Sequence, residues 1–220
     1  MHTNEDAEDF KILISNNIET KVWETYIPSQ SETMIGNLTF LNDWQIRSEL
    51  SNALDKIYVK NLKTNKEEEI IFTEETVYDS SVSLMQRDRN TDDIYISYST
   101  PKTPSRTFIY NLKTKEKKLV KEQIIPSGHN SNDFIVERLE CVGHDGRLIP
   151  ITITRKKTTK LDGNSNLLLY GYGSYGNSMW PSFSSTRLSL INRDIIWATA
   201  HIRGGMERGM KWWKEGKLLN

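Results

Sequence analysis

The tetrapeptide Asn61-Leu62-Lys63-Thr64 occurs again as Asn111-Leu112-Lys113-Thr114, at a spacing of 50 residues. Segments rich in β-branched and aromatic residues, 57–60 and 107–110, lead into the two copies. A charged turn and a further short β-prone segment follow each copy, at residues 67–72 and 117–120. This order is typical of a β-hairpin, so the sequence predicts two equivalent hairpins.

The same spacing relates the alternating segment 94–98 to residues 44–48, so the repeat unit contains several strands. Periods of roughly 40 to 50 residues with about four strands are typical of β-propeller blades. Two unrelated hairpins that share four residues are the alternative. Because the strand order also matches, residues 1–125 are predicted to form a partial β-propeller.

The composition is that of a soluble globular protein of one or two domains: 220 residues, 26% of them charged and 36% hydrophobic. Lys and Arg together number 29, as do Asp and Glu, so no overall charge favours nucleic acid or membrane surfaces as partners. The apolar runs are too short to span a bilayer, and the acidic first residues do not read as a secretory signal. A single cysteine, Cys141, excludes an internal disulfide and fits the cytoplasm.

The pattern changes after about residue 125. A Pro/Gly/Asn-rich linker at 126–132 precedes a predicted hairpin that turns at Asp145-Gly146. The apolar run 167–170 predicts a strand buried on both faces, as in a parallel sheet. A short helix near 187–192, a second buried strand at 195–202 and a helix at 206–215, with Met206, Met210 and Trp213 on one face, are predicted to follow. The fold class is therefore mixed β and α/β, with residues 126–220 forming the α/β part.

The segment Gly171-Tyr172-Gly173-Ser174-Tyr175-Gly176 matches the G-x-G-x-x-G pattern of dinucleotide-binding loops and follows a predicted strand. The following residues, with Pro181, do not predict the helix that should receive the pyrophosphate. Asp194 precedes the second strand, whereas a ribose-binding carboxylate belongs at the end of that strand. Nucleotide binding is therefore disfavoured against glycines that allow tight turns and close packing.

Four segments together resemble the prolyl oligopeptidase family, and within it the oligopeptidase B group. They are residues 167–176 (LLLYGYGSYG), 182–190 (SFSSTRLSL), 200–205 (AHIRGG) and 212–219 (WWKEGKLL), in the family's order and spacing. The resemblance covers roughly residues 40–220. It implies the last blades of a seven-bladed propeller followed by an incomplete α/β-hydrolase (peptidase) domain at 126–220. Members of this family are serine proteases that cut short peptides with a Ser-Asp-His triad.

The resemblance implies roles for two tyrosines. Tyr172 matches the tyrosine whose hydroxyl helps to form the oxyanion hole, and a buried tyrosine with a structural hydroxyl is the alternative. Tyr175 falls where the family places an aromatic residue that lines the substrate pocket, and simple packing of the loop is the alternative. His201 and Arg203 lie in the AHIRGG motif and are predicted to be structural, while Met206 replaces the third glycine usual in the family.

The catalytic triad cannot be assigned in this chain. A hydrolase serine sits in a G-x-S-x-G turn, but Tyr172 precedes Ser174 by two positions and Trp180 follows Ser178 by two. The sequence ends before the expected position of the elbow, and the triad Asp and His belong later still. There is no H-E-x-x-H or C-x-x-C motif, so neither a metal nor a cofactor is expected.

The sequence therefore predicts a protein similar to a serine oligopeptidase that hydrolyses short peptides after Lys or Arg, and a chain that is a non-catalytic fragment by itself. One alternative is half of a split peptidase, completed by a separately encoded C-terminal half. Another is a protein-interaction module formed by the blades at residues 40–125. In each case unpaired strand edges and exposed apolar faces are expected.

Overall fold

The computed structural model describes residues 1–17, 19, 22–71, 75–85 and 87–218. These residues form mostly β-sheet with few helices. The strands of the first part are β1 (His2–Thr3), β2 (Lys11–Ile14), β3 (Glu24–Ile27), β4 (Thr33–Phe40), β5 (Trp44–Ser51), β6 (Leu54–Asn61), β7 (Glu67–Glu69), β8 (Asp79–Leu84), β9 (Asp93–Ser99), β10 (Arg106–Asn111) and β11 (Lys117–Glu122). After a 3-10 helix (Ser131–Asp133) come β12 (Phe134–Val142), β13 (Leu148–Lys156), β14 (Leu167–Gly171), α1 (Ser185–Ile191), β15 (Ile196–Ala200) and α2 (Gly209–Lys214).

The predicted repeat is confirmed as two four-stranded antiparallel sheets, in the orders β4-β5-β6-β7 and β8-β9-β10-β11. The segments related by the 50-residue spacing, 44–48 and 94–98, lie in the second strands, β5 and β9. Both Asn-Leu-Lys-Thr copies join the third strand to the fourth. The expected strand at 67–72 is observed as Glu67–Glu69, and its last residue, Phe72, lies outside the described residues.

The repeated tetrapeptide builds the same turn twice. Asn61 Oδ1 accepts hydrogen bonds from the amides of Lys63 and Thr64, both at 3.0 Å, as Asn111 Oδ1 does from Lys113 and Thr114 at 3.0 and 2.8 Å. The residues that follow, Asn65 and Lys115, have φ of +60° and +66°. Such asparagine turns fix the chain reversal. The agreement in these details excludes a chance match between unrelated hairpins.

The two sheets share one hydrophobic core. Its buried members are Leu41, Trp44, Ile46, Ile57, Val59, Ile70, Ile94, Ile96, Tyr98, Tyr110 and Leu112. The indole N–H of Trp44 also donates to Asp92 Oδ1 at 2.7 Å, which joins the start of β5 to the loop before β9. The sheets thus stack face to face as adjacent blades do.

A fourth sheet follows the linker, in the order β12-β13-β15-β14. The hairpin β12–β13 is antiparallel, whereas β14 and β15 are parallel and are connected through α1. On one face of the sheet Phe134 packs with Leu188 and Ile191 of α1, and Phe183 and Trp197 pack against this cluster. The predicted order of strand, loop, helix and parallel strand is confirmed.

The prediction that β14 is buried on both faces is wrong. β14 is the edge strand of the sheet, and Leu167 and Leu169 are 53% and 61% exposed. A short apolar run does not show whether other residues of the same chain bury it. The strand predicted at 195–202 is observed as β15, which is paired on both sides and has Ile196, Ala198 and Ala200 buried.

The structure corrects the prediction for the last helix and adds a sheet that was not predicted. The helix predicted from Met206 begins at Gly209, whose φ of +81° ends the preceding loop, and Trp212 rather than Trp213 is its buried aromatic residue. The three-stranded sheet β1-β2-β3 in the first 40 residues has no counterpart among the sequence predictions. Within the described part of the chain, no helix is long and apolar enough to cross a bilayer.

Candidate active site

The site predicted around Tyr172 lies at the carboxyl ends of the parallel strands. In the register of β14 and β15, Gly171 pairs with Ala200. Tyr172 therefore leaves the sheet beside His201, and the loops 172–177 and 201–206 start at the same edge. This edge is where open α/β sheets place their ligand sites.

Glycines let these two loops interlock. A Cβ on Gly173 would overlap the carbonyl oxygen of Arg203 and the side chain of Ile202, and a Cβ on Gly204, where φ is +96°, would overlap the carbonyl of Gly173. The amide of Gly176 donates to the Gly204 carbonyl at 2.9 Å, which closes the contact. The G-x-G-x-x-G match thus reflects close packing between backbones, the structural alternative raised by the sequence.

The structure places Tyr172 and Tyr175 in the same loop, in different surroundings. Tyr172 is half-buried, and no described residue hydrogen-bonds its hydroxyl. Tyr175 is 86% exposed with φ of +57°, so its ring projects from the tip of the loop. A half-buried phenol with a free hydroxyl is able to donate a hydrogen bond to a bound oxygen atom.

His201 is a buried neutral ring. Its Nε2 lies 2.9 Å from the hydroxyl of Thr152, and its carbonyl accepts from the indole of Trp212 at 3.2 Å. Burial, with the nearby charge of Arg138, lowers the pKa of His201 to about 3. The ring is therefore uncharged at neutral pH, which agrees with the structural role predicted for it.

Glu207 is a site residue that sequence reasoning missed. It is fully buried; its Oε1 accepts from the amide of Met179 at 2.8 Å, and its backbone carbonyl accepts from the amide of Ala53 at 2.8 Å. Burial raises the pKa of its carboxyl, while Arg138 opposes this rise. Glu207 thereby joins the chain after the Tyr172 loop to the β5–β6 turn. A lone glutamate after Gly-Gly-Met gives no local signal of this burial.

Arg203 organises its loop, as the sequence predicted. Its guanidinium forms an ion pair with Asp145 at 2.6 Å and lies 5.9 Å from the ring centroid of Trp212. Met206, which replaces a glycine usual in the family, packs its side chain against Gly176, and its amide donates to Ser178 Oγ at 3.2 Å. The methionine therefore fills space beside the Tyr172 loop.

Charged contacts tie this region to the first 40 residues. Arg208 donates to Glu32 Oε2 at 2.7 Å, and the amide of Met210 donates to Asp9 Oδ1 at 2.6 Å. Neither contact is visible in the sequence, because the partners are more than 170 positions apart. In the described part of the chain, no group of three or more His, Cys, Asp or Glu side chains is arranged to hold a metal ion.

Comparison with known proteins identifies the family. Residues 1–123, more than half of the chain, match the family model described as the prolyl oligopeptidase, N-terminal beta-propeller domain. The chain belongs to the prolyl oligopeptidase family. The resemblance seen in the sequence is thereby confirmed, and so is the propeller character of residues 1–123.

Relatives of the prolyl oligopeptidase family match the whole length of the chain. It is 33% identical over 224 residues to dipeptidyl aminopeptidase BI of Pseudoxanthomonas mexicana, covering 100% of this chain and 30% of the relative. Protease 2 of Moraxella lacunata is 30% identical over 220 residues, covering 99% of this chain and 31% of the relative. The chain thus spans about 30% of the length of these curated relatives.

The fold is also that of a solved relative. The structure of oligopeptidase B from Leishmania major superimposes with a TM-score of 0.87 at 25% sequence identity, covering 98% of this chain and 31% of that one. The family model itself ends at residue 123. The predicted boundary at residue 125 and the roles of Tyr172 and Tyr175 stay predictions.

Proposed function

We propose that the chain supplies part of a serine-type oligopeptidase that hydrolyses short peptides after Lys or Arg. In this proposal residues 1–125 are the last propeller blades, and residues 126–220 are the first strands of an incomplete α/β-hydrolase domain. Relatives named as a protease and an aminopeptidase, which match through the whole chain, support a peptidase. The parallel pair β14–β15 with its connecting helix supports the hydrolase assignment.

The proposal rests mainly on one observation. The face of the fourth sheet opposite α1 carries exposed apolar side chains. Because side chains alternate along strands, Leu167 and Leu169 lie on the face opposite Trp197 and α1. Leu139 of β12 lies on this face too, since it pairs with Ile151, and it is 49% exposed. A contiguous exposed apolar patch of this kind marks a surface that binds other protein elements. We infer that the remainder of the hydrolase domain covers this face and pairs with β14.

Tyr172 would act as an oxyanion-hole donor in the completed enzyme. When a serine attacks a peptide carbonyl, the carbonyl oxygen gains negative charge, and a phenol hydrogen bond stabilises it. The free hydroxyl of Tyr172 at the carboxyl edge of the sheet supports this role. Tyr175, exposed at the tip of the same loop, would line the pocket for the substrate side chain.

The nucleophile, acid and base would come from the remaining hydrolase strands. Ser174 and Ser178 do not occupy a strand-to-helix turn; both lie in the loop after β14, and Ser178 Oγ accepts a hydrogen bond from Met206. We therefore expect the chain alone to be a non-catalytic fragment. The remaining strands would come either from the same polypeptide or from a separate chain, as in a split peptidase. A reducing compartment such as the cytoplasm fits the exposed free thiol of Cys141.

A chimera tests the proposal. In dipeptidyl aminopeptidase BI of Pseudoxanthomonas mexicana, the matching segment is replaced by residues 1–220 of this chain, and hydrolysis of a short fluorogenic peptide ending in Arg is measured. We expect turnover by the chimera and none by the 220-residue chain alone. Tyr172→Phe should lower kcat by about 100- to 1,000-fold, the usual effect of losing one oxyanion donor, with little change in KM.

Tyr170→Phe is the matched control, because Tyr170 precedes the loop and stacks its ring on Trp197, a contact that phenylalanine keeps. It should change kcat less than threefold. A chimera that is folded by circular dichroism and gel filtration but inactive would contradict the proposal, as would one that cannot fold. Equal kcat values for Tyr172→Phe and Tyr170→Phe would refute the oxyanion role alone.

A further inference from the structure

The chain from Tyr172 to Met179 runs beside residues 204–207, and three hydrogen bonds join the two segments. The bonded pairs are Gly176 with Gly204 at 2.9 Å, Ser178 with Met206 at 3.2 Å, and Met179 with Glu207 at 2.8 Å. In the third pair the acceptor is the side-chain carboxylate of Glu207. The position of the Tyr172 loop therefore depends on where this carboxylate is held.

A turn of the propeller part holds Glu207. The amide of Ala53, between β5 and β6, donates to the Glu207 carbonyl at 2.8 Å. The carbonyl of Asn52 in the same turn accepts from the guanidinium of Arg138 on β12. Ala53 is 2% exposed and has φ of +57°, a conformation that residues with a Cβ rarely adopt. The chain thus keeps an unfavourable turn at the point where it meets the fourth sheet.

Stability alone does not explain a glutamate at position 207. The residue is fully buried, and its Oε2 has no hydrogen-bond partner among the described residues. The nearby charge of Arg138 favours the ionised carboxyl, but burial opposes it. A buried oxygen without a partner costs free energy in the folded state. Such costly choices are expected where a residue serves function.

We propose that Glu207 is a positioning residue, which fixes the hydroxyl of Tyr172 by linking its loop to the β5–β6 turn. The proposal rests on the proposed function, in which Tyr172 donates to the oxyanion. Glu207 acts through the amide of Met179 and contacts no substrate. A displacement of about 1 Å at a catalytic group can cost about 100-fold in rate, so the link controls activity from a distance.

Two variants of Glu207 in the chimera test this role. Glu207→Ala removes the acceptor for the Met179 amide, whereas Glu207→Gln keeps an oxygen at the same place. Because an oxyanion donor acts only in the transition state, Glu207→Ala should lower kcat at least tenfold and change KM less than twofold. Glu207→Gln should keep kcat within threefold of the parent chimera. Equal kcat values for the two variants would overturn the proposal.

A double variant distinguishes positioning of Tyr172 from a general structural effect. In a chimera that already carries Tyr172→Phe, the hydroxyl to be positioned is absent. Adding Glu207→Ala there should lower kcat by less than a further twofold, since changes that act through one group are not additive. The same loss of kcat with and without the Tyr172 hydroxyl would contradict the assignment.

The 220-residue chain tests the link without catalysis. The NMR signals of the Tyr172 ring, assigned with Tyr172→Phe, report the surroundings of that ring. Glu207→Ala should shift these signals by more than their line width, and Glu207→Gln should not. Circular dichroism checks that each variant is folded. Unchanged signals in folded Glu207→Ala would show that the carboxylate does not hold the loop.

The turn is tested in the same chain. Ala53→Pro removes the N–H that donates to Glu207 and should shift the Tyr172 signals from the other part of the fold. Asn65→Pro is the matched control, because Asn65 also has a positive φ, of +60°, but lies beyond the opposite end of β6. Equal shifts from the two proline variants would remove the turn from the proposal. If Ala53→Pro does not fold, the two Glu207 variants decide.

Failure of this proposal and failure of the proposed function give different results. An inactive chimera would contradict the proposed function, while the Tyr172 signals of the 220-residue chain would still show whether Glu207 holds the loop. An active chimera whose kcat is unchanged by Glu207→Ala would overturn the positioning role and leave the proposed function intact.

Discussion

The contact between Gly173 and Gly204 is the tightest point of the candidate site. A methyl group on Gly173 would overlap the Arg203 carbonyl oxygen, a backbone atom that cannot rotate away. We predict that Gly173→Ala lowers the free energy of unfolding by about 1–3 kcal/mol or more, as overpacking does. Urea denaturation followed by tryptophan fluorescence measures the change.

Gly171→Ala is the control for this substitution, since a Cβ at Gly171 would meet its nearest neighbour, Ile202, at an ordinary 3.5 Å. Its effect should be less than about 1 kcal/mol, the usual range for substitutions without a clash. If both variants are equally stable, the loops 172–177 and 201–206 do not interlock as described.

The pH dependence of stability should depend on Asp55. Burial, with Asp79 nearby, raises its pKa from 3.8 to about 7 in the folded protein. The amide of Ser80, which donates to Asp55, partly opposes this rise in pKa. Because the folded state binds the proton more tightly, the contribution of Asp55 to stability is complete below pH 4 and is lost as the pH rises to 7.

Asp55→Asn keeps an acceptor for the amide of Ser80 and removes the charge. At pH 8 we expect the variant to be more stable than the parent by about 1–3 kcal/mol, below the limit of about 4 kcal/mol for a shift of this size. The advantage should vanish near pH 4. Urea denaturation of the variant and the parent at pH 4 and at pH 8 measures this difference. His201, whose lowered pKa affects stability with the opposite sign, contributes equally to both proteins and cancels in the comparison. A constant difference would contradict the raised pKa.

Sequence reasoning found the residues of the Tyr172 loop but missed those whose role comes from burial. Tyr172, Tyr175, His201 and Arg203 lie in contiguous motifs, and a motif is visible in a single sequence. The importance of Glu207 comes from its contact with a turn more than 150 positions earlier. No local pattern of charge or hydropathy encodes such a contact.

At the scale of elements, the sequence predicted the blades well because each turn is determined locally. The Asn61 and Asn111 turns need only the four residues of the motif and the left-handed residue after it. Strand β14 could not be placed in the same way. Its apolar run predicts a buried strand. Only the strand order shows that β14 lies at the edge of the sheet, where the described residues leave it exposed.

The uncovered face of β14 should drive self-association. We predict that the double variant Leu167→Lys, Leu169→Lys lowers the fraction of oligomers, because charged residues on an edge strand oppose pairing between chains. Analytical ultracentrifugation at several concentrations measures this fraction. Leu161→Lys is the control, since Leu161 is 66% exposed but lies in a loop. An equal effect of both changes would show that added charge alone is responsible.

At the scale of the whole molecule, the two parts are joined by contacts from the first 40 residues. Asp9 accepts from Met210, Glu32 pairs with Arg208, and Lys214 lies 2.9 Å from Glu8. The blades and the fourth sheet are therefore held in one arrangement. This relation depends on three-dimensional packing, which the sequence patterns do not show.

The proposed function requires the fourth sheet to continue beyond β14 into a hydrolase domain. Hydrogen–deuterium exchange tests it most directly, by comparing residues 1–220 alone with the same residues in the chimera. We predict that the amides of β14 exchange at least tenfold more slowly in the chimera, because a neighbouring strand covers them, while those of β6 exchange equally in both. Equal exchange of β14 in a folded chimera would contradict the claim.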